Sequence, residues 1–232
     1  MAASAGSNED LPVTTEGSRP LLVPKVRGLS GQVRYPYQCP RLTGTPRVTH
    51  EFDLIQSLRQ ATPASNRVPI GIGDDAALID WRHDPRCLVT VDMLMEGVDF
   101  TFESATPEQI GRKALAVNLS DIAAMAGRPV ACVVAVALPR HGGFELGRGL
   151  HAGIAQLARE FDVAIAGGDT NTWDGPLVIS ITVLGEPVGR GPVLRSGAQA
   201  GDWIMVTGSL GGSILGKHLD FTPRVREALA LN

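Results

Sequence analysis

Aspartates recur at four points of the chain where little else explains them. The four segments are GIGDDAAL (71–78), VTVDMLMEGVDF (89–100), KALAVNLSDIAAM (113–125) and AGGDTN (166–171). Three of them lie where an apolar strand or helix pattern ends or is interrupted, so their carboxylates are not ordinary solvated surface charge. Hard oxygen ligands beside flexible glycine backbone are what Mg²⁺ and a polyphosphate require. The sequence therefore predicts a Mg-nucleotide site.

Composition narrows the class of protein. The 232 residues are 44% hydrophobic and 19% charged, enough for one core plus a tail or part of a second domain. The formal net charge of −3 gives no electrostatic footprint for nucleic acid or an anionic membrane. No apolar run is long enough to span a bilayer, and the N-terminus lacks the apolar core of a signal peptide. We therefore expect a cytoplasmic protein without nucleic-acid or membrane partners.

The three cysteines, Cys39, Cys87 and Cys132, are widely separated and have no C-x-x-C spacing. This spacing argues against a disulfide framework and against a zinc site. Cys87 and Cys132 open apolar runs and are interpreted as small buried hydrophobes, with a catalytic thiol as the weaker alternative.

The elements that must position the aspartates begin near Glu51. Residues 1–49 are rich in Ser, Thr, Gly, Pro and Arg without periodicity, which predicts a disordered extension. EFDLIQSLRQ then has apolar residues at helical spacing. Thr106 is a predicted N-cap, with Pro107 in the first turn and Gln109 completing a capping box, for a helix that ends near Ala126. A second helix is predicted over 146–161.

Strands are predicted between these helices. They cover 87–91, 130–138, 163–166, 177–184 and 202–207. The run 130–138 is apolar throughout, which is typical of a strand covered on both faces. Strands interleaved with helices indicate an α/β or α+β domain.

Each aspartate segment also has a structural interpretation. GIGDD and Gly167-Gly168-Asp169 are compatible with tight turns, although bare backbone N–H groups beside Asp169 would also suit phosphate and metal. Asp92, at the predicted end of a strand, fits either a ligand position or a cap. Asp121 lies inside an apolar helix, where an unpaired carboxylate is costly.

The alternative for Asp121 is a structural salt bridge to Lys113 or Arg128. Asn118, three residues earlier in the sequence, lies on the same predicted helical face and could join Asp121 in a polar cluster.

Taken in order, the motifs from about Glu51 to Val225 are specific. They are GIGDDAAL, TVDMLMEGVDF, TPEQIGRKALAVNLSDIAAMAGRP, AIAGGDT, PVLRSGAQAGDWIMVTGSLGGS and KHLDFTPRV. This series resembles the thiamine-monophosphate kinases, which belong to the aminoimidazole-ribotide synthetase-like ATP-binding superfamily. The resemblance implies an ATP- and Mg-binding N-terminal domain over 50–189, built on a mixed sheet flanked by helices. Residues 190–232 would begin a second, truncated domain.

The resemblance also implies roles for single residues. Carried over residue by residue, the Mg²⁺ ligands around the ATP phosphates are Asp75, Thr90, Val91, Asp92, Asp121 and Asp169. Val91 can contribute only its carbonyl oxygen. Gly168, Asp169 and Arg195 match ATP-contacting positions, and an arginine suits bidentate phosphate binding. The implied reaction is in-line transfer of the γ-phosphoryl of ATP to thiamine monophosphate without a protein nucleophile, in a homodimer.

Two features depart from the family pattern. Asp99 stands where the family has a substrate-holding histidine, so its carboxylate would repel a phosphate but could favour the thiazolium cation or another metal. The chain also stops at Asn232, before the family's LSDGL and GGEDYEL segments. Two hypotheses stay open: an active kinase, or a Mg-ATP-binding module without turnover. A purine- or carbamoyl-directed relative is the weaker third.

Overall fold

The computed structural model describes residues 51–72, 79–81 and 86–232. The predicted disordered extension and Asp75 lie outside these residues. The helices are α1 (Glu51–Ala61), α2 (Pro107–Ala124), α3 (Gly143–Glu160), α4 (Lys217–Asp220) and α5 (Val225–Leu231). The strands are β1 (Leu88–Met95), β2 (Arg128–Pro139), β3 (Ala164–Trp173) and β4 (Val178–Glu186). Short 3₁₀ turns lie at Arg195–Gly197 and Ser213–Leu215.

The four strands form one mixed sheet in the order β1-β4-β2-β3. β4 pairs antiparallel with both β1 and β2, while β2 and β3 are parallel and are connected through α3. A parallel pair needs such a crossover, because a tight turn can join only antiparallel neighbours. The predicted mixed sheet flanked by helices is confirmed.

The N-terminus of α2 has the capping box that the sequence predicts. The Thr106 hydroxyl accepts a hydrogen bond from the Gln109 amide at 3.3 Å, and the Gln109 side chain accepts one from the Thr106 amide at 3.0 Å. These two bonds satisfy N–H groups that have no partner within the helix. Pro107 takes the first helical position. The helix ends at Ala124, two residues before the predicted position.

The core lies between one face of the sheet and the layer formed by α2 and α3. Its fully buried members include Ile110, Leu115, Leu119, Leu157, Ile179, Ile181 and Val183. The two helices approach closely at Gly153, where an added Cβ would lie 1.8 Å from the carbonyl oxygen of Glu108. A glycine at this position therefore sets the distance between the helices.

The other face of the sheet is open among the described residues. On β1 the side chains of Val89, Val91 and Met93 are 63%, 61% and 58% exposed. They lie in register with Leu184, Thr182 and Ser180 of β4. On β2, Ala135 is exposed and Val133 is half-buried. The apolar run 130–138 was predicted to be covered on both faces. Among the described residues it is covered on one face only.

The segment after β4 differs from the prediction. The strand predicted over 202–207 is wrong, because this stretch is irregular. Trp203 and Ile204 are 92% and 95% exposed. A strand needs a hydrogen-bonding neighbour, and no described strand pairs with this stretch.

Two further observations concern the sequence predictions. Cys132 is buried, as predicted, and burial raises the pKa of its thiol to about 12. Cys87 is exposed, so its predicted burial is wrong: it lies just before edge strand β1. Within the described ranges, no helix combines the length and the apolar character that crossing a membrane requires.

Candidate functional site

Thr90, Asp92 and Asp121 form a polar group between β1 and α2. β1 continues past Asp92 to Met95, so Asp92 lies in the middle of the strand and not at its end as predicted. Because side chains alternate along a strand, Thr90 and Asp92 share one face of β1. The Thr90 hydroxyl donates a hydrogen bond of 2.7 Å to the Asp121 carboxylate on α2. This bond fixes the carboxylate on the side of the strand that carries Asp92.

Asp121 is exposed, so the expectation that it is buried in the helix is wrong. α2 buries the residues that face the sheet and α3, whereas Asp121 lies at the border of this buried face. In the described part of the chain, neither Lys113 nor Arg128 forms an ion pair with Asp121. The salt-bridge alternative is therefore not what holds this carboxylate.

Asn118 does not join the group around Asp121. Its side chain is fully buried, and its amide donates a hydrogen bond of 3.0 Å to the carbonyl oxygen of Ala114, one turn earlier in α2. The Asn118 side chain therefore bonds within α2 and does not contact the candidate site.

The charges of this group suit a divalent cation. Partial burial raises the pKa of Asp92, and the negative charge of Asp121 raises it further. A cation between the two carboxylates would remove this repulsion, and a hydroxyl beside them is a third hard oxygen. The donor set therefore fits Mg²⁺, with Asp92, Asp121 and Thr90 as the residues that would hold it. The Val91 side chain lies on the opposite face, so only its carbonyl could take part.

The group is small. Within the described ranges, no three acidic, histidine or cysteine side chains lie close enough to hold a metal by themselves. Mg²⁺ commonly takes one or two carboxylates together with substrate phosphates and water. Two carboxylates and a hydroxyl are therefore adequate when phosphates supply the remaining ligands.

Gly168 and Asp169 lie apart from this group. The tight-turn alternative at this point is wrong, and the strand predicted over 163–166 is longer than expected, because β3 continues through both residues in parallel pairing with Val134 and Ala135 of β2. An added Cβ at Gly168 would lie 1.9 Å from the Val134 carbonyl oxygen. The glycine is therefore required by the close approach of the two strands, whatever else it binds.

The sheet order separates Asp92 from Asp169. β1 and β3 are the two edges of the sheet, so three strand spacings, or about 14 Å, lie between them. The register also places Asp169 in the row of Met93, on the face opposite to Asp92. A single Mg²⁺ ion, with ligand distances of about 2.1 Å, cannot bind both side chains of one chain.

A cavity of about 860 Å³ lies at the β3 edge of the sheet. Its lining comes from α1, α3, β2, β3 and β4 and includes Gly168 and Asp169. The lining is mainly apolar, with Leu54, Leu58, Ile154 and Ile165 among its members. Thr90, Asp92 and Asp121 do not line it.

The other two candidate residues have different surroundings. Arg195 is exposed in a 3₁₀ turn after β4 and does not line the cavity. The carboxylate of Asp99 accepts a hydrogen bond of 2.8 Å from the Met95 amide, which closes the turn after β1. This bond gives Asp99 a structural role, and its predicted substrate contact stays a prediction.

Sequence reasoning missed two histidines. His218 of α4 lies 2.9 Å from the Lys113 ammonium, which also donates to the Asp99 carbonyl. Burial lowers the pKa of Lys113, although Asp99 opposes this shift. His151 of α3 is buried and lines the cavity. Neither histidine lies in one of the four aspartate segments; His218 falls in the quoted motif KHLDFTPRV, but that motif alone gave it no chemical role.

Comparisons with known proteins agree with the fold. Residues 73–186 match the family model described as AIR synthase related protein, N-terminal domain. The thiamine-monophosphate kinase of Rhodopirellula baltica is 45% identical over 188 residues, covering 78% of this chain and 59% of the relative. That of Bacillus subtilis is 41% identical over 169 residues, covering 73% and 52%.

Solved structures of thiamine-monophosphate kinases are also similar to this chain. The crystal structure of thiamine-monophosphate kinase from Stenotrophomonas maltophilia K279a superposes with a TM-score of 0.63 at 37% identity, covering 78% of this chain and 64% of that one. AaThiL complexed with AMPPCP and TMP superposes with a TM-score of 0.59 at 27% identity, covering 78% and 62%. The chain thus spans 52–59% of the length of the two curated relatives. The chain is therefore similar to the AIR synthase related proteins over residues 73–186, and its similarity to the thiamine-monophosphate kinases covers the N-terminal portion of those proteins.

Proposed function

We propose that this chain provides the Mg-ATP-binding part of a kinase that converts thiamine monophosphate to thiamine diphosphate. The observation that carries the proposal is the pair of carboxylates, Asp92 and Asp121, held beside the Thr90 hydroxyl on a domain similar to the relative solved with AMPPCP and TMP. Such a kinase would act where ATP is available, which agrees with the expected cytoplasmic location.

The residues contribute position and charge. Thr90 orients the Asp121 carboxylate, and Asp92 stays close to it on the rigid strand β1. When bound, Mg²⁺ supplies neutralisation of the crowded phosphate charge. Asp169, on the far edge of the sheet, would act on a different ion or a different phosphate. Asp75 is proposed as a further metal ligand, and Gly168 and Arg195 as further contacts to ATP. Phosphoryl transfer of this kind depends on alignment and electrostatics, and no protein nucleophile is required.

Residues 190–232 are proposed to begin the second domain of such a kinase. Their exposed apolar side chains support this assignment: Trp203, Ile204, Met205, Leu210, Ile214 and Leu215 are 70–96% exposed. A domain that supplied a neighbouring strand would bury them. Residues beyond this segment would then form one wall of the substrate site.

The test compares two proteins in one assay. The 232-residue chain and a fusion to the C-terminal half of a family member are assayed for thiamine diphosphate, and Mg-ATP binding is titrated for both. We expect both to bind Mg-ATP and only the fusion to turn over, because loss of one wall costs more in rate than in ATP affinity. An inactive fusion that still binds Mg-ATP would favour the binding-module alternative. Failure of both proteins to bind Mg-ATP would refute the proposal.

We also propose that a second copy of the chain covers the open face of the sheet. Val89, Val91, Met93 and Met95 form a continuous apolar row on β1 and are 40–63% exposed. A sheet face meant for solvent carries polar residues, so this row favours burial against another apolar surface. The face continues on β4 and β2 through Val178, Leu184 and Val133.

Light scattering after size-exclusion chromatography tests the dimer. Met93→Asp places a charge in the middle of the apolar row and is expected to give a monomer. Val98→Asp is the matched control, because Val98 is 77% exposed in the turn after β1 and lies outside the row. A monomeric unmodified chain, or a Met93→Asp variant that stays dimeric, would contradict the proposal.

A further inference from the structure

His151 is a buried imidazole whose tautomer is fixed by its neighbours. Its Nε2 lies 2.9 Å from the Thr62 hydroxyl oxygen. That hydroxyl donates its single proton to the Leu58 carbonyl oxygen at 2.8 Å. Toward His151 the hydroxyl can therefore only accept, so Nε2 carries the proton. In the neutral ring, Nδ1 is then a bare acceptor.

The Nδ1 atom has no hydrogen-bond partner among the described residues. The residue is only 8% exposed, and what surface it has lines the 860 Å³ cavity. Burial lowers the pKa of His151, and the nearby positive charge of Arg159 lowers it further, so the ring is neutral at physiological pH. Among the described residues, the buried polar side-chain atom without a partner is Asn118 Oδ1, so His151 Nδ1 is not itself fully buried. An unpaired acceptor that a ligand can reach would gain a hydrogen bond from a ligand that brings a donor.

The cavity around His151 has apolar walls on two sides. Leu54, Ile55 and Leu58 of α1 form one wall, and Leu150 and Ile154 of α3 form another. Apolar walls with a few placed polar atoms are typical of small-molecule sites, and the volume lies in the usual range of roughly 300–1,000 Å³. A ring here would gain apolar burial from its faces and one directed bond from its edge.

We propose that His151 Nδ1 accepts a hydrogen bond from the exocyclic amino group of a heteroaromatic ring bound in this cavity. The inference rests on the proposed function, since both substrates carry such a ring: adenine in ATP and aminopyrimidine in thiamine monophosphate. Gly168, a proposed ATP contact, lines the same cavity on the sheet face that the helices cover, which favours adenine; the Asp169 side chain lies on the other face.

The experiment is calorimetric titration of the full chain with Mg-ATP, Mg-ITP and thiamine monophosphate. Inosine has a carbonyl where adenine has its amino group, so it offers His151 no donor at that position.

Two variants separate the roles of the ring nitrogens. His151→Gln keeps an amide N–H near Thr62 but removes the acceptor from the cavity side. His151→Asn keeps an acceptor near the Nδ1 position and loses the contact with Thr62.

For adenine, we expect the unmodified chain to bind Mg-ATP roughly tenfold more tightly than Mg-ITP, the usual scale for one satisfied buried hydrogen bond. His151→Gln should lose this preference with unchanged Mg-ITP affinity, and His151→Asn should keep part of it. If the ring bound beside His151 is instead the aminopyrimidine, His151→Gln should weaken the binding of thiamine monophosphate and leave the binding of both nucleotides unchanged. Thermal unfolding of each variant establishes that it is folded.

Two outcomes distinguish failure of the proposed role of His151 from failure of the proposed function. If His151→Gln binds all three ligands as the unmodified chain does, the role of His151 is refuted while the proposed function stands. If the unmodified chain binds neither Mg-ATP nor thiamine monophosphate, the proposed function fails and the inference fails with it.

Discussion

Asp92→Asn is the substitution that tests the carboxylate pair most directly. It keeps the size of the side chain and removes one of the two neighbouring charges. Because the folded-state pKa of Asp92 is raised, the fold disfavours the ionised carboxylate. Stability is therefore lost as the pH rises through that pKa. The Asn variant is free of this penalty, so without Mg²⁺ it should be more stable than the unmodified chain.

The magnitude follows from the geometry. Thr90 and Asp92 are two residues apart on one strand, a separation of about 7 Å between their Cα atoms. The Asp121 carboxylate accepts the hydrogen bond of 2.7 Å from Thr90, so a separation of roughly 6 Å between the two carboxylates is consistent with this geometry. At this distance the repulsion is roughly 0.7–3 kcal/mol for effective dielectric constants between 80 and 20, and partial exposure favours the lower end. A gain of about 1 kcal/mol corresponds to about 2–4 °C in a domain of this size.

Thermal unfolding at neutral pH, with and without Mg²⁺, is the assay. Without the metal, Asp92→Asn should unfold about 2–4 °C higher, and the difference should shrink at high salt and vanish at acidic pH. With Mg²⁺ the order should reverse, because only the unmodified chain keeps both carboxylates. Asp174→Asn is the matched control: it removes the same charge from a side chain that is 79% exposed and is paired with Arg140. Equal Mg²⁺ stabilisation of both variants, with no gain for Asp92→Asn without metal, would refute the reasoning.

Two further substitutions test the site and the scaffold. Asp121→Asn should weaken Mg-ATP binding about tenfold or more by calorimetric titration, because it removes a charged ligand and keeps the shape; unchanged affinity and Mg²⁺ dependence would contradict the assignment. Gly153→Ala should lower the free energy of unfolding by roughly 1–3 kcal/mol or more in urea titrations, because its Cβ would lie 1.8 Å from the Glu108 carbonyl. Gly167→Ala is the control, since its Cβ meets nothing within 4 Å; equal losses would refute the packing argument.

Local patterns predicted the parts of the fold that depend on neighbouring residues. The capping box of Thr106 and Gln109 needs only four consecutive residues, and the structure confirms both of its hydrogen bonds. The long apolar run of β2 also marks a strand without further context. The mixed sheet could be predicted as a class because strands and helices alternate, but its strand order could not be read from the sequence.

Predictions failed where pairing between distant segments decides the conformation. Gly167-Gly168-Asp169 has the composition of a turn, yet β2 extends alongside and holds it in β3. Residues 202–207 have the pattern of a strand, yet no described strand lies beside them. Asp121 has apolar neighbours in sequence, but it lies at the edge of the helix face that packs inward.

The same limit applies to the candidate site. The sequence identifies Asp92, Asp121 and Asp169 as unusual carboxylates, and their chemistry suggests one common centre. The strand order divides them, because β4 and β2 separate the strand that carries Asp92 from the strand that carries Asp169. A polyphosphate bound at both places would therefore meet negative charge at two positions about 14 Å apart. Two separate cations, or a second copy of the chain that brings its own edge strand close, would satisfy this geometry, and one ion within one chain would not.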